Sequence, residues 1–158
     1  NGDSAYTFPV GEVDEETAKL LKVTKESLYK GIEMAVAGGR TGDIGHAVQS
    51  YAESFGFGVV RELEGHGIGK DMHENPGVPN YGRRGHGAKL VDGMTICIEP
   101  MINAGTRGVY LDKNGWAVHT ADHRKSAHFE LTVVVRRGVA ERLSTFDYIE
   151  KEQVLNLK

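Results

Sequence analysis

A single cysteine, Cys97, stands among the 158 residues, so no disulfide can form within the chain. That fits a reducing compartment, and a cytoplasmic location is expected. No apolar run approaches the roughly 18 residues of a membrane span, and no signal peptide opens the chain. Lysine and arginine (19) do not outnumber aspartate and glutamate (22), and the net charge is −3. The basic surface that would suit nucleic acid or an anionic membrane is therefore missing, and neither is expected as a partner. No Gly-x-Ser-x-Gly elbow marks a serine hydrolase. Gly65-His66-Gly67-Ile68-Gly69-Lys70 looks superficially like a phosphate loop. Its glycines are too close together, however, and Asp71 stands where the hydroxyl residue is needed. There is no His-Glu-x-x-His helix and no cysteine cluster for a structural zinc.

Leu, Ile, Val and Phe make up about a quarter of the chain, above the roughly 20% below which chains tend to stay disordered. Glycine is abundant, at 21 residues, and seven of these fall between Gly65 and Gly87. The chain opens at Asn1 without an initiator methionine and runs directly into a strand-like stretch, Ser4 to Val10. A segment upstream of Asn1 is therefore expected. Asp14 is a suitable N-cap for a helix reaching about Val36, with Leu21, Val23, Leu28, Ile32 and Val36 as its apolar stripe. Thr41 can cap a second helix presenting Ile44, Val48, Tyr51 and Phe55. Val59 to Leu63 reads as a short strand, and the glycine-rich tract from Gly65 to Gly87 as a loop. Met94 to Glu99 and Phe129 to Val135 read as strands. Asn114-Gly115 signals a hairpin between Val109–Leu111 and Trp116–His119. The tail from Glu141 is charged. Without repeats or linkers, residues 1–158 are expected to form one α+β domain, a sheet with covering helices.

Several ionisable residues sit where burial is expected. Glu99 ends an apolar strand on the face of Thr95 and Cys97, and Glu130 interrupts the most apolar strand on the face of His128 and Thr132. A buried carboxylate costs several kcal/mol unless paired or metal-bound. An edge strand with a solvated face is the ordinary alternative for each. His66 lies between glycines, which let a backbone come close and leave the imidazole accessible. A turn histidine, a surface-loop histidine and a turn aspartate are the ordinary readings of His66, His73 and Asp3. Taken together, Asp3, His66, Glu99 and Glu130 would give one imidazole and three carboxylates. Such a set suits Mn²⁺ or Fe²⁺, singly or paired, more than a structural zinc. Two bridged ions would activate a water and clamp a tetrahedral intermediate. Cys97 reads as a small buried strand residue rather than a nucleophile. His46, His86, His119, His123 and His128 have no motif role, although strand parity places His128 near Glu130.

The stretch GHGIGKDMHENPGVPNY (Gly65 to Tyr81) resembles the signature of type I methionine aminopeptidases. So do GMTICIEPM (Gly93 to Met101), NGWAVHT (Asn114 to Thr120), SAHFELT (Ser126 to Thr132) and the N-terminal GDSAYTF. The similarity runs in order along essentially the whole chain. It implies the pita-bread α/β fold, two pseudo-symmetric halves around a dinuclear site, with the N-terminal part of the fold outside this chain. It implies Asp3, His66, Glu99 and Glu130 as ligands of two divalent ions (manganese, iron or cobalt). It also implies Glu99 as the group that takes and returns the water proton, and His73 as a catalytic residue holding the scissile carbonyl or the peptide. Met72 and Trp116 would line the pocket for the methionine side chain. The implied activity is removal of the initiator methionine from nascent proteins, by a cytoplasmic monomer acting on N-terminal Met-peptides. Ribosome contact would suit such an enzyme, although Arg83-Arg84 reads as a solvated loop.

Some positions depart from the family pattern. Asp3 fits the second of two aspartate ligands, and the first, with an upstream histidine, would precede Asn1. Leu131 stands where a histidine is common, Asn1 replaces a frequent histidine, and Met72 replaces a frequent phenylalanine. A related Xaa-Pro peptidase is the second reading, disfavoured by Val78-Pro79-Asn80-Tyr81 and Trp116. A non-catalytic pita-bread module that binds peptides or proteins is the third, and applies if the polypeptide starts at Asn1.

Overall fold

The computed structural model describes residues 1–156, with side chains to residue 152. Among the described residues, three helices and eleven short strands follow in the order β1 (Ser4–Ala5), α1 (Glu15–Glu33), α2 (Thr41–Ser54), β2 (Gly58–Val59), β3 (Gly65–Gly67), β4 (Glu74–Val78) and β5 (Thr95–Ile98). They continue as β6 (Met101–Asn103), β7 (Val109–Leu111), β8 (Val118–Thr120), β9 (Ser126–His128), β10 (Glu130–Val134), β11 (Glu141–Arg142) and α3 (Asp147–Asn156). The main sheet has the order β1-β10-β5-β3-β4, with β11 also paired to β10, and β2-β6-β9 and β7-β8 form two smaller sheets.

Helix α1 starts where its residues dictate. The Asp14 carboxylate accepts the Thr17 N–H at 2.7 Å, and Glu15 and Glu16 stand in the first turn, where negative charge meets the positive end of the helix dipole. Its buried face is Leu20, Val23, Thr24, Ser27, Leu28, Gly31 and Ile32, so Leu20 rather than Leu21 points inward, and the helix stops at Glu33 rather than Val36. Val36 instead bridges to Arg136. In α2, Arg40 is the N-cap, not Thr41. Asp43 reaches back to accept the Arg40 N–H at 2.8 Å, while the Thr41 hydroxyl accepts the Ala88 N–H at 3.1 Å. Ile44, Val48 and Ala52 are buried, Tyr51 is half-buried and Phe55 is exposed, so the stripe runs through Ala52.

The central strands are covered on both sides. In the β5–β10 pair, Ile98 opposes Leu131 and Ile96 opposes Val133, while Cys97 opposes Thr132. Directly opposed residues share a face and successive residues alternate. Ile96, Ile98, Leu131 and Val133 therefore form one fully buried apolar face. Helix α1 packs there: a Cβ built on Gly31 would lie 3.2 Å from Ile98 Cγ2. Cys97, Thr132 and Glu130 occupy the opposite face.

The glycine tract differs from its reading as a loop. Gly65–Gly67 and Glu74–Val78 within it are strands β3 and β4, with β3 between β4 and β5, while residues 79–87 carry no strand, as read. A Cβ on Gly65 would meet Cys97 O at 2.3 Å, and one on Gly67 would meet Asn75 O at 2.3 Å. These glycines serve close backbone approach around His66. The N-terminal strand is shorter than expected, Ser4–Ala5 rather than Ser4 to Val10, and the Val59–Leu63 strand reduces to Gly58–Val59. The Phe129–Val135 strand is Glu130–Val134, with Ser126–His128 as a separate strand. The β7–β8 hairpin forms around Asn114-Gly115, and Gly115 takes a φ of 72°.

Candidate metal centre

Four ionisable residues far apart in sequence meet on the sheet face opposite the helices. His66 is central in β3 and only 8% exposed. Its Nδ1 lies 2.9 Å from the Gly67 carbonyl oxygen. A carbonyl only accepts, so Nδ1 carries the proton and Nε2 offers its lone pair. That Nε2 points into a group of carboxylates, 3.6 Å from Glu99 Oε1 and 3.9 Å from Asp3 Oδ2.

Asp3 precedes β1 and is fixed through its backbone. Its N–H donates to the Thr132 hydroxyl at 3.0 Å, and that hydroxyl donates to the Asp3 carbonyl at 2.7 Å. Glu99 follows β5, and its carbonyl accepts from Asn80 Nδ2 at 3.1 Å. Glu130 opens β10, one step beyond the Leu131–Ile98 pair, and is 4% exposed. Burial, and then the negative charges of Glu99 and Asp3, push its carboxyl up to about 7.

Two overlapping sets of donor atoms result. Asp3, His66, Cys97 and Glu130 form one, and Glu99, His128 and Glu130 the other. Within each set the donor atoms lie within 4.8 Å of one another. Two of them, Glu130 Oε1 and His128 Nε2, are shut away from water without a hydrogen-bond partner. A buried polar atom left so costs about 1–3 kcal/mol. Carboxylates converging on imidazole lone pairs, with orphaned donors between them, fit a divalent cation: its charge would offset the repulsion and its coordination would satisfy the orphans. Cys97 fits less well as a reactive group. Burial pushes its thiol up to about 12, so it stays protonated at neutral pH.

The structure thus brings Asp3, His66, Glu99 and Glu130 together. It also places His73 beside them: the ring is exposed, with its centroid 4.3 Å from that of His66. Met72 precedes it and is 44% exposed. Trp116 is not brought to the cluster. It follows the Asn114-Gly115 turn of the separate β7–β8 hairpin and is 89% exposed, so within this chain it walls no pocket with Met72. The cleft beside His128, about 390 Å³, is walled instead by Val60, Leu63, Met101, Val109 and Val118. Two donors escaped the sequence reading of the ligand set. Cys97 carried the signal of sharing a strand face with Glu99, and His128 that of sharing parity with Glu130.

Residues 1–137 match metallopeptidase family M24. The chain belongs to that family. The M24 chain is 58% identical over 134 residues to the methionine aminopeptidase of Clostridium acetobutylicum, a match covering 85% of this chain and 54% of that protein. It is 50% identical over 135 residues to methionine aminopeptidase 1 of Bacillus subtilis, again 85% of this chain and 54% of the relative. It therefore spans about half the length of the curated relatives it matches. The crystal structure of the Thermotoga maritima methionine aminopeptidase superposes with a TM-score of 0.87 at 45% identity, covering 90% of this chain and 57% of that one. The Pyrococcus furiosus prolidase shares the fold at a TM-score of 0.69 and 24% identity, over 91% of this chain and 37% of its own. The fold is the pita-bread α+β fold that the sequence resemblance implied, and a divalent-metal hydrolase chemistry goes with the family.

Proposed function

We propose that the protein carrying this chain removes the N-terminal methionine from newly made polypeptides, by hydrolysis assisted by two divalent ions. The observation that carries the reading is the pair of donor sets sharing Glu130, with Asp3, His66 and Glu99 around it. The identity of 58% and 50% to relatives named methionine aminopeptidase favours methionine as the residue removed. The Xaa-Pro reading has only remoter support, from the prolidase fold at 24% identity.

In this reading Asp3, His66, Glu99 and Glu130 would hold the ions, which would supply Lewis acidity when bound. Glu99 stands at the edge of the cluster, with a side chain 14% exposed, and takes the proton of the attacking water. The hydroxyl adds to the carbonyl carbon, the C–N bond breaks, and Glu99 returns the proton to the leaving amine. His73, exposed and beside His66, donates a hydrogen bond to the carbonyl oxygen as charge builds on it. Met72 and Trp116 remain the proposed contacts of the methionine side chain. Trp116 then needs a surface outside this chain to complete its pocket. A cytoplasmic monomer acting on nascent chains is the setting this reading proposes.

The test is release of free methionine from a Met-Ala-Ser peptide by the full-length protein, with Mn²⁺ or Fe²⁺ added and a Xaa-Pro peptide run in parallel. Methionine release alone is expected. Cleavage of the Xaa-Pro peptide alone would favour the prolidase-like reading. Metal binding without turnover of either would favour a peptide-binding module.

A further inference from the structure

The net charge of −3 is an average, and the positive charge is not spread evenly along the chain. From Asn75 to Val91 there are two arginines and a lysine and no acidic residue. The segment after β4 gathers Arg83, Arg84, His86 and Lys89, all exposed. Elsewhere on the surface arginines are paired, Arg136 with Glu141 and Arg137 with Asp92. Among the described residues, the side chains of Arg83, Arg84, His86 and Lys89 have neither an ion pair nor a hydrogen bond. Arg40, the N-cap of α2, stands beside them, and its guanidinium donates to the Gly87 carbonyl at 2.8 Å.

This loop is exposed yet fixed. The Gly42 N–H donates to the His86 carbonyl at 3.0 Å, and the Thr41 N–H to that of Ala88 at 2.9 Å. In return the Ala88 N–H donates to the Thr41 hydroxyl at 3.1 Å. A small residue on α2 makes the approach possible: a Cβ on Gly42 would meet the Arg83 and His86 carbonyl oxygens at 2.5 and 2.6 Å. Asp43 is the acid at this junction. It turns Oδ1 to the Gly85 N–H at 2.7 Å and Oδ2 to the Arg40 N–H at 2.8 Å, so backbone donors occupy both oxygens. The backbone is thus held to the first turn of α2, and the cationic ends are left to solvent or to a partner. Cations on an ordered loop give up little backbone entropy on binding.

We infer that this loop docks on the phosphate backbone of double-helical RNA, without reading its sequence. Guanidinium groups match phosphate oxygens in geometry and charge. From Gly82 to Lys89 there is no phenylalanine, tyrosine or tryptophan, and no apolar side chain larger than alanine. The loop therefore has no platform on which unpaired bases stack and no apolar anchor for a bilayer. It also lacks the apolar centre of a protein–protein interface. A polar, strongly positive surface is what nucleic-acid interfaces present. The choice of RNA over DNA rests on the proposed action on newly made polypeptides, which emerge where RNA is abundant. The phosphate contact itself rests on the loop alone.

Fluorescence anisotropy tests this with the full-length protein and labelled RNA duplexes of two unrelated sequences, from about 50 to 200 mM salt. Both duplexes should bind alike, with affinity falling steeply as salt rises. The double variant Arg83→Ala/Arg84→Ala should bind about tenfold more weakly and lower the slope of log affinity against log salt by about 2. Its release of methionine from a short peptide should be unchanged. Lys19→Ala/Lys22→Ala removes the same charge from α1 and should leave RNA affinity within about twofold of wild type. Equal losses in the two double variants, or wild-type affinity and slope in Arg83→Ala/Arg84→Ala, would overturn the proposal. So would a wild type that binds phosphatidylserine vesicles or an acidic peptide but not RNA, which needs no variant to fold. Tighter binding to a DNA duplex would overturn the choice of RNA. Methionine release is measured separately, so failure of RNA binding leaves the proposed peptidase activity standing, and the reverse holds too.

Discussion

His73 and His66 are seven residues apart, and their rings are in contact, yet they are not equivalent. His66 is 8% exposed and its Nε2 faces carboxylates, whereas His73 is exposed and belongs to neither donor set. A group that touches the substrate but not the ions should separate turnover from metal affinity. His73→Ala is expected to lower kcat by about 100-fold or more while the Co²⁺ affinity stays within about twofold of wild type. Parallel titration and steady-state kinetics check it. A matching loss of metal affinity would show that His73 acts by supporting His66. At this scale much of the cluster was legible. Asp3, His66, Glu99 and Glu130 are ionisable residues in apolar or glycine-rich surroundings, which is a signal the sequence carries. Cys97 and His128 were harder to read because a buried cysteine and a lone histidine have ordinary structural explanations. Strand parity hinted at both, and the register of β10 on β5 sets Cys97 opposite Thr132, on the face of the carboxylate cluster.

Secondary elements were legible where local chemistry decides them and obscure where pairing does. Helix α1 announces itself through Asp14, and the β7–β8 hairpin through Asn114-Gly115. Strand β3 does not, because Gly-His-Gly has no strand propensity, and its extended form comes from its neighbours β4 and β5. Helix α3 was missed in the charged tail, since Asp147–Asn156 has no apolar stripe. It is held instead by Ile149 against the core and by Lys25, 2.8 Å from Glu150. The start of α2 joins both kinds of information. Asp43 accepts the Arg40 N–H at the helix start and the Gly85 N–H, at 2.7 Å, from the glycine-rich loop. These backbone N–H groups, Gly85 first, hold its carboxyl below the usual carboxylate range. Asp43→Ala should therefore destabilise the fold by about 1–2 kcal/mol at neutral pH. The sign of the pH dependence follows from the depressed value. The contribution is present above the unfolded pKa of about 4 and is lost as pH falls through the lower folded value. Urea unfolding of wild type and variant should show a gap at pH 7 that narrows as the pH falls below about 4. A gap constant with pH would mean that Asp43 acts only as a helix former and not as a charged acceptor.

Across the whole molecule, one face of the central sheet is packed apolar and the other gathers like charges. Ile96, Ile98, Leu131 and Val133 stabilise the first face under α1. Asp3, Glu99 and Glu130 crowd the second, and burial first, then the charges of Glu99 and Asp3, raise the Glu130 carboxyl. With His66 of β3 they come from just before β1, from the end of β5 and from β10, so an ion bound among them would link segments from residue 3 to residue 130. Metal at about a hundred times its Kd would stabilise the fold by about 2.7 kcal/mol. For a chain of this size that corresponds to a rise in Tm of about 5–10 °C. Glu130→Gln separates the two effects by sign. Removing the buried charge relieves repulsion with Glu99 and Asp3, so the metal-free Tm should hold or rise. The glutamine cannot serve as a shared anionic ligand, so the increase on adding Mn²⁺ or Co²⁺ should largely vanish. Scanning calorimetry in EDTA and in excess metal decides it. A variant that melts lower in EDTA and keeps the full metal-dependent increase would make Glu130 a structural residue and place the ions elsewhere.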